Sequence, residues 1–285
     1  MLALLPLGFP PHHHGQGHAR RTHEQPPAPP PPVASSVDEL VLERTVRRNQ
    51  EAHSTGYNRE SDILTALKQE YTNGATAWRM PKTPKILSFG SSFGLEALAV
   101  AELYFPTSVV VGVDVDDATL EQARINTRNV SDRVFLFNAD KLPLASLGSY
   151  DVVLAHNVLC HHPWPRHQTP DKWYPLSLFE ETLLAISAVL RVGGLLSVVN
   201  SNYLLSSAPR VAPFFEPVPN VTIPSRRLIA PIFDAEGRLL WHGGPAAALA
   251  LVGAPRASPS RQFHASRAPI LWRKTSAPPA SSLRR

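Results

Sequence analysis

Between residues 85 and 200 the chain alternates short apolar runs with longer stretches that have apolar residues at helical spacing. The apolar runs are continuous, as in Val109-Val-Val111 and Val152-Val-Leu154. Such runs are typical of parallel strands that are buried on both faces of a sheet. Because strands and helices alternate, the pattern predicts an α/β fold. We expect a doubly wound, mostly parallel sheet with helices on both faces and right-handed crossovers.

Five strands are predicted in this stretch: Lys85–Phe89, Val109–Asp114, Val134–Asn138, Asp151–His156 and Leu195–Asn200. The helical spacing predicts three helices between them, at Leu95–Tyr104, Ala118–Asn129 and Leu176–Leu190. The glycine pair Gly193-Gly194 predicts a turn into the fifth strand.

The flanks of this core carry a weaker pattern. Two amphipathic helices are predicted before the first strand, over residues 37–52 and from Ile63 to the helix-ending pair Asn73-Gly74. Three elements are predicted near the end of the chain: a strand and turn within 227–240, a short Ala-rich helix within 245–269, and a last strand at Ile270–Arg273.

Composition divides the chain into three parts. A run of prolines at 26–32 is stiff and extended, so we expect a disordered Pro- and His-rich arm over residues 1–35. One domain is expected over 36–275 and a disordered basic tail over 276–285. Residues 237–285 hold seven Arg, one Lys and no acidic residue, which accounts for the net charge of +5. No base-stacking pattern accompanies this charge, so a solvated tail is favoured over a contact with nucleic acid or an anionic membrane.

The cysteine content and the hydropathy indicate a compartment. Cys160 is the single cysteine, which excludes an internal disulfide and fits a reducing environment. No apolar run approaches the roughly 20 residues that span a bilayer. We therefore expect a cytoplasmic protein. An organelle transit peptide is the alternative, because the first 23 residues contain Arg but no acidic residue.

The most informative segment is a glycine turn between the first strand and the first helix of the core. Gly90 and Gly94 lie in this turn, and Asp114 ends the next strand twenty residues after Gly94. Dinucleotide sites use Gly-x-Gly-x-x-Gly, but here position 92 is Ser, and Glu96 would repel a pyrophosphate. The Gly-Lys-Ser/Thr of phosphate loops is absent. A tight turn that binds no ligand remains an alternative.

Five motifs in the same order resemble the class I S-adenosylmethionine-dependent methyltransferases. They lie at 86–94, 111–124, 138–143, 150–162 and 190–196. The resemblance implies that S-adenosyl-L-methionine is the cofactor, with the glycine turn around its methionine part and Asp114 on the ribose hydroxyls. Residues at 138–140 would border the adenine, and His156 would lie below the sulfonium. The implied cofactor-binding set is Ser88, Gly90, Ser91, Gly94, Asp114, Val115, Asn138, Ala139, Asp140 and His156.

The chain departs from this family at two positions of the turn. Ser88 stands where the family commonly has the acid that holds the cofactor's ammonium group, and Ser92 replaces the middle glycine. Charge-assisted hydrogen bonds are about twice as strong as neutral ones. Either the affinity for the cofactor is therefore modest, or Glu96 supplies the missing carboxylate. A non-catalytic S-adenosylmethionine-binding or scaffold protein is therefore an alternative. A nicotinamide-dependent oxidoreductase on the same sheet is another.

A cluster of histidines and one cysteine follows the fourth strand. Its members are His156, Cys160, His161, His162 and His167. We expect no metal site, because there is no second cysteine pair and the side chains of adjacent histidines diverge. A neutral imidazole near pH 7 can act as a general base, which makes His156 and His161 the candidate catalytic residues. The alternative is a purely structural end to the strand.

Methyl transfer needs positioning and exclusion of water rather than a covalent nucleophile, so the sequence leaves the acceptor open. We expect a small molecule or a protein side chain. Nucleic acid is not expected, since the Asn-Pro-Pro-Tyr motif of base methylation is missing. The helices within 37–72 are candidate lid elements, and the loop at 163–174 with its two Trp is a candidate wall of the acceptor pocket. The oligomeric state stays open.

Overall fold

The structure, a computed structural model, describes residues 56–78, 80–161, 170–221, 230–241 and 268–278. All of them belong to one compact unit that extends from Ser35 to Arg285. The predicted arm, the predicted helix over 37–52 and nearly all of the stretch 245–269 lie outside the described residues. No helix in the described ranges is both long and apolar enough to cross a membrane.

The described part of the chain contains four α-helices and nine strands. The helices are α1 (Ser61–Trp78), α2 (Leu95–Ala99, continued by a π-helical turn over Val100–Tyr104), α3 (Asp117–Asn126) and α4 (Leu176–Val189). The strands are β1 (Lys85–Phe89), β2 (Val109–Asp114), β3 (Val134–Asn138), β4 (Tyr150–His156), β5 (Leu190–Val199), β6 (Phe215–Pro217), β7 (Ile232–Phe233), β8 (Leu239–Trp241) and β9 (Leu271–Lys274).

Seven strands form one mostly parallel sheet in the order β3-β2-β1-β4-β5-β9-β6. The first five of these are parallel, and β9 is antiparallel to both of its neighbours. This confirms the predicted α/β fold. The strand order reverses between β1 and β4, and in open α/β sheets the crevice outside the carboxyl ends of the strands at this point receives ligands.

Side chains of the central strands enter two separate cores, one on each face of the sheet. Val153 and Ala155 of β4 pack in the core that contains α4, whereas Val152 and Leu154 pack in the core that contains Leu67 of α1. Because neighbouring residues of a strand face opposite sides, both sides must be apolar. The continuous apolar runs of the sequence follow from this two-sided burial.

Helix α1 corrects a predicted boundary, because it continues through Asn73-Gly74 to Trp78. Tertiary contacts hold this helix in place. Leu64 and Leu67 are fully buried, and the Tyr71 hydroxyl donates to the Pro81 carbonyl at 2.7 Å. A glycine inside a helix costs about 1 kcal/mol relative to alanine. Packing of the apolar face outweighs this cost, so the local stop signal is overridden.

The predicted turn at Gly193-Gly194 is also wrong, since both glycines lie inside β5. Pairing with β4 jumps from Tyr150 opposite Leu190 to Val152 opposite Leu195, and Gly193 has a φ of +82° within this irregular stretch. A glycine in a strand often marks such a bulge. Farther along, β9 confirms the predicted last strand, and the pair β7–β8 confirms the predicted strand and turn.

Candidate functional site

The turn after β1 has a backbone that few residue types can adopt. Gly90 and Gly94 both have φ +73°, and Ser92 between them has φ +48°. A Cβ atom on Gly90 would lie 2.6 Å from Cγ2 of Val158, and one on Gly94 would lie 3.0 Å from Cβ of Ala123 in α3. Glycine is therefore required at both positions for packing as well as for the left-handed conformation.

Asp114 ends β2 directly beside this turn, and backbone amides hold its carboxylate. Oδ2 accepts a hydrogen bond from the Ser92 amide at 2.8 Å, and Oδ1 accepts one from the Val115 amide at 2.8 Å. The left-handed Ser92 thus aims its N–H at the acid. Among the described residues Oδ2 receives only this one hydrogen bond, so it retains a lone pair for a further donor. The glycine turn and Asp114 are therefore adjacent at the carboxyl ends of β1 and β2, as the sequence predicts.

The segment after β3 packs against the same strand end. The Asn138 side chain donates to the Val115 carbonyl at 3.2 Å and accepts from the Asp140 amide at 2.8 Å. The Ala139 amide donates to the Asp114 carbonyl at 2.9 Å. The structure therefore brings Asn138, Ala139 and Asp140 next to Asp114 and Val115, although these residues are up to 26 positions apart in sequence.

A second polar group lies on the β4 side of β1 and is formed by side chains alone. The Ser88 hydroxyl donates to Oε1 of Glu96 at 2.9 Å, and Oε2 of Glu96 lies 2.6 Å from Nδ1 of His156. The other ring nitrogen of His156, Nε2, lies 2.8 Å from the Ser197 hydroxyl. This buried polar chain (Ser88, Glu96, His156 and Ser197) joins β1, α2, β4 and β5.

Electrostatics make the centre of the buried polar chain an ion pair. Burial by itself lowers the pKa of His156, but the carboxylate of Glu96 outweighs burial and raises that pKa above its ordinary value. Burial raises the pKa of Glu96, but the charge and hydrogen bond of His156 and the hydroxyl of Ser88 lower it below its ordinary value. Both shifts favour a protonated imidazole beside an ionised carboxylate.

These contacts count against a general-base role for His156, which stays a prediction. Its side chain is 1% exposed, both ring nitrogens are hydrogen-bonded, and its raised pKa favours the protonated ring. A general base must reach its substrate and accept a proton from it. Ser88 is likewise fully buried with its hydroxyl on Glu96, so its side chain lies behind Glu96 rather than at the surface of the crevice.

Of the other members of the histidine–cysteine cluster, the two that the structure describes, Cys160 and His161, make separate contacts. The His161 amide donates to Oδ1 of Asn202 at 2.7 Å, and its ring packs 5.2 Å from the ring of Trp173. Cys160 is buried, which raises the pKa of its thiol to about 12. Within the described ranges no three His, Cys, Asp or Glu side chains are placed to hold a metal ion. His162 and His167 lie outside those ranges.

The sequence indicated Asn157 as a residue below the sulfonium and Arg59 as part of a candidate lid, but it did not predict the contacts that these residues make. Asn157 and Asn200 both have positive φ, at +58° and +54°. The side-chain amide nitrogen of Asn200 donates to Oδ1 of Asn157 at 2.6 Å. Arg59 and Glu60 lie before α1 and line a pocket together with Glu96. The only signal for the first pair was an Asn after each of two apolar strands. Glu60 had no signal in the sequence, because it precedes a helix in a polar stretch.

The match to known families covers this site. Residues 87–198, from the middle of β1 to the end of β5, match the family model described as "Methyltransferase domain". This segment is a methyltransferase domain. It contains the glycine turn, Asp114 and the segment after β3, so the resemblance to S-adenosylmethionine-dependent methyltransferases is confirmed for the core of the chain. No curated protein matches the chain.

Several solved structures are similar to this methyltransferase domain. PKMT2 from Rickettsia typhi is 24% identical with a TM-score of 0.33, and the match covers 41% of this chain and 21% of that one. Another structure of PKMT2 is a complex with AdoHcy. An S-adenosylmethionine-dependent methyltransferase from Clostridium acetobutylicum is 17% identical with a TM-score of 0.36, and the match covers 54% of each chain. The chain thus spans about a fifth of the Rickettsia protein and about half of the Clostridium protein.

Proposed function

We propose that the protein transfers a methyl group from S-adenosyl-L-methionine to a small molecule or to a protein side chain. The observation that carries the proposal is the hydrogen-bonded contact between the glycine turn and Asp114. The Ser92 amide orients the acid from the turn side and the Val115 amide from the other. A carboxylate fixed in this way at the carboxyl end of β2 suits the two hydroxyls of a ribose.

The residues present fit a nucleoside with a charged sulfur. The Ser92 hydroxyl oxygen is buried and has no hydrogen-bond partner among the described residues, and Oδ2 of Asp114 can accept a further hydrogen bond. Ala139 and the half-buried Val115 supply apolar surface beside the acid, where an adenine would lie. Asn138 and Asp140 supply the polar border.

The chain's own groups would act by positioning. When bound, the cofactor supplies a methyl group on a sulfonium that is already activated for in-line displacement. Asp114 and the glycine turn hold the nucleoside, and the buried polar chain fixes the ends of β1, β4 and β5 beside it. Fixed geometry of this kind supplies a large share of the barrier reduction in group transfer. Of the two candidate bases, His156 and His161, we favour His161 for deprotonating an acceptor, because it is half-buried while His156 is buried.

Calorimetry tests the binding half of the proposal. Purified protein is expected to bind S-adenosylhomocysteine, and Asp114→Ala is expected to weaken that binding by about ten- to a hundredfold, because hydrogen bonds to a charged group contribute about 1.5–3 kcal/mol each. Asp132→Asn is the matched control, since Asp132 is an exposed acid that pairs with Arg133. Binding of NADH in place of S-adenosylhomocysteine would overturn the proposal.

A transfer assay tests the catalytic half. Labelled methyl groups from S-adenosylmethionine are expected to enter a component of a cell extract with the wild-type protein and not with Asp114→Ala. Separation of the extract by size then distinguishes a small-molecule acceptor from a protein. Tight binding of S-adenosylhomocysteine without any labelled product would contradict the enzyme assignment and indicate a non-catalytic binding protein.

A further inference from the structure

A closed set of contacts joins four residues and includes the candidate base His161. The rings of His161 and Trp173 have centroids 5.2 Å apart and planes inclined by 39°. The Trp173 ring packs edge-to-face on Phe233 of β7, with centroids 6.1 Å apart. The Phe233 amide donates to the Asn202 carbonyl at 2.8 Å, and Oδ1 of Asn202 accepts from the His161 amide at 2.7 Å. This His161 unit (His161, Trp173, Asn202 and Phe233) thus holds both the ring and the backbone of the histidine.

Asn202 connects the two halves of the His161 unit. It is fully buried, its side-chain nitrogen donates to the Pro231 carbonyl at 2.9 Å, and its backbone amide donates to the Leu159 carbonyl at 3.0 Å. Together with its bonds to His161 and Phe233, these contacts tie the loop after β4 to strand β7. Because a buried polar network with its bonds satisfied specifies one arrangement, the position of His161 relative to β7 is fixed.

The β7–β8 hairpin also contacts the segment that carries Trp173. Gly237 lies in the hairpin turn with a φ of +75°, and a Cβ atom on it would lie 3.4 Å from Oδ2 of Asp171. Asp171 belongs to the 3₁₀ turn Pro170–Lys172. The Trp173 amide donates to the Pro170 carbonyl at 3.1 Å. The hairpin therefore supports Trp173 through its ring, at Phe233, and through the turn that precedes it.

The loop that carries His161 lies at the carboxyl end of β4 and touches the glycine turn. A Cβ atom on Gly90 would lie 2.6 Å from Cγ2 of Val158, so the two segments are in direct contact. His161 follows Val158 by three residues, and both His161 and Trp173 are half-buried. The His161 unit therefore holds an imidazole that keeps some exposure at the end of the sheet where open α/β sheets receive ligands.

Trp173 provides more than a fixed position for the imidazole. The face of an indole attracts a cation that lies within about 6 Å of the ring centroid. The separation of 5.2 Å between the centroids of His161 and Trp173 is within this range. The contact therefore suits an imidazole that gains a positive charge when it accepts a proton.

We propose that Trp173 is a positioning residue for methyl transfer, which holds His161 as the base that takes a proton from the acceptor. The inference rests on the proposed function and narrows its acceptor to a group that loses a proton, an O–H or an N–H. The proton passes to a ring nitrogen of His161, and the electron pair left on the acceptor bonds to the methyl carbon. The carbon–sulfur bond breaks with its electrons on sulfur. A thioether acceptor, which has no proton to lose, is excluded.

A double-mutant cycle tests this role through the initial rate at which labelled methyl groups from saturating S-adenosylmethionine enter the cell extract. His161→Gln is expected to lower the rate by about a hundred- to ten-thousandfold, the range of general base catalysis. Trp173→Leu is expected to lower it by about three- to tenfold, the loss of one aromatic contact, and to have no further effect in the His161→Gln background. Trp173→Phe keeps an aromatic face and is expected to recover most of the loss. A merely structural role would lower the rate equally in both backgrounds.

Calorimetry provides a second readout, since His161→Gln and Trp173→Leu are expected to keep the affinity for S-adenosylhomocysteine within a factor of two. Phe135→Leu is the control, because Phe135 is an exposed aromatic residue of β3 at one edge of the sheet. An equal loss of rate from Trp173→Leu in both backgrounds, or an unchanged rate in His161→Gln, overturns the inference. If the wild-type protein labels nothing in the extract, the proposed function itself fails, so the two failures are distinguishable.

Discussion

The strands on either side of β1 both end in a polar side chain, but the two side chains are held in opposite ways. Asp114 at the end of β2 is half-buried and is fixed by backbone amides. His156 at the end of β4 is buried and is fixed by the side chains of Glu96 and Ser197. Backbone donors leave a carboxylate oxygen able to accept more, whereas two side-chain partners occupy both nitrogens of an imidazole. The first arrangement suits ligand binding and the second suits structure.

The largest expected effect comes from a substitution that removes the contacts of the side chain at the end of β4. His156→Ala removes one partner of a buried ion pair and leaves the Glu96 carboxylate without its counter-charge. Such a change costs about 3–5 kcal/mol of the free energy of unfolding. Urea unfolding followed by circular dichroism measures it, with the exposed Gln122→Ala of α3 as control. A loss below about 1 kcal/mol would mean that the pair is not part of the stable fold.

The arrangement at the end of β2 is tested by a substitution that changes the backbone of the glycine turn. Gly90→Ala forces a Cβ to within 2.6 Å of Val158 and places alanine at φ +73°. The left-handed conformation costs about 1–2 kcal/mol and overpacking about 1–3 kcal/mol, so we expect a loss of about 2–5 kcal/mol in urea unfolding. Gly56→Ala is the control, because the nearest atom to its added Cβ lies at 3.7 Å. Equal stability of the two variants would contradict the geometry of the turn.

The pH dependence of stability sharpens the contrast. The pKa of His156 is raised above its ordinary 6.5, so its contribution is complete below about pH 6.5 and is lost as pH rises through the folded-state value. The pKa of Glu96 is lowered below 4.5, so its contribution is complete above about pH 4.5 and is lost as pH falls. The stability difference between wild type and His156→Gln should therefore be largest between pH 4.5 and 6.5 and should shrink at higher pH. A difference that grows toward pH 9 would show that the imidazole is neutral in the native state.

The smallest effect concerns the serine in the turn. Ser92 has φ +48°, a conformation that costs a non-glycine residue about 1–2 kcal/mol, while glycine costs about 0.5–1 kcal/mol in backbone entropy. Ser92→Gly should therefore raise the free energy of unfolding by up to about 1 kcal/mol, and it should weaken the binding of S-adenosylhomocysteine by at most about tenfold, because a neutral hydrogen bond contributes about 0.5–1.5 kcal/mol. Thermal unfolding and calorimetry check both. A destabilised variant would show that the serine hydroxyl makes a contact that outweighs the strain.

The sequence predicted the strands of the sheet more closely than its other elements. The bounds of β1, β2 and β3 are as predicted, because buried parallel strands need continuous apolar runs and few other segments have them. The end of α1 and the start of β5 were wrong for one reason: a glycine is a local stop signal, and tertiary packing at Tyr71 and pairing with β4 override it.

The candidate site was predictable where its residues follow strand ends. The turn, Asp114 and the segment after β3 are adjacent in space because parallel strands bring their carboxyl ends to one edge. The state of His156 was not predictable, since its partners Glu96 and Ser197 are 60 and 41 residues away in sequence. Sequence gives the chemistry of an imidazole but not whether both of its nitrogens are already bonded.

Strand β9 has a consequence for how the protein is made. It lies between β5 and β6, and its Arg273 and Lys274 are buried, with Nη1 of Arg273 donating to the Gly193 carbonyl at 2.8 Å and Nζ of Lys274 to the Leu190 carbonyl at 2.7 Å. A nascent chain still attached to the ribosome lacks this interior strand until residue 274 has left the exit tunnel. The sheet can therefore be completed only after synthesis has passed that point. A chain truncated before β9 would leave the edge of β5 unpaired and prone to aggregation.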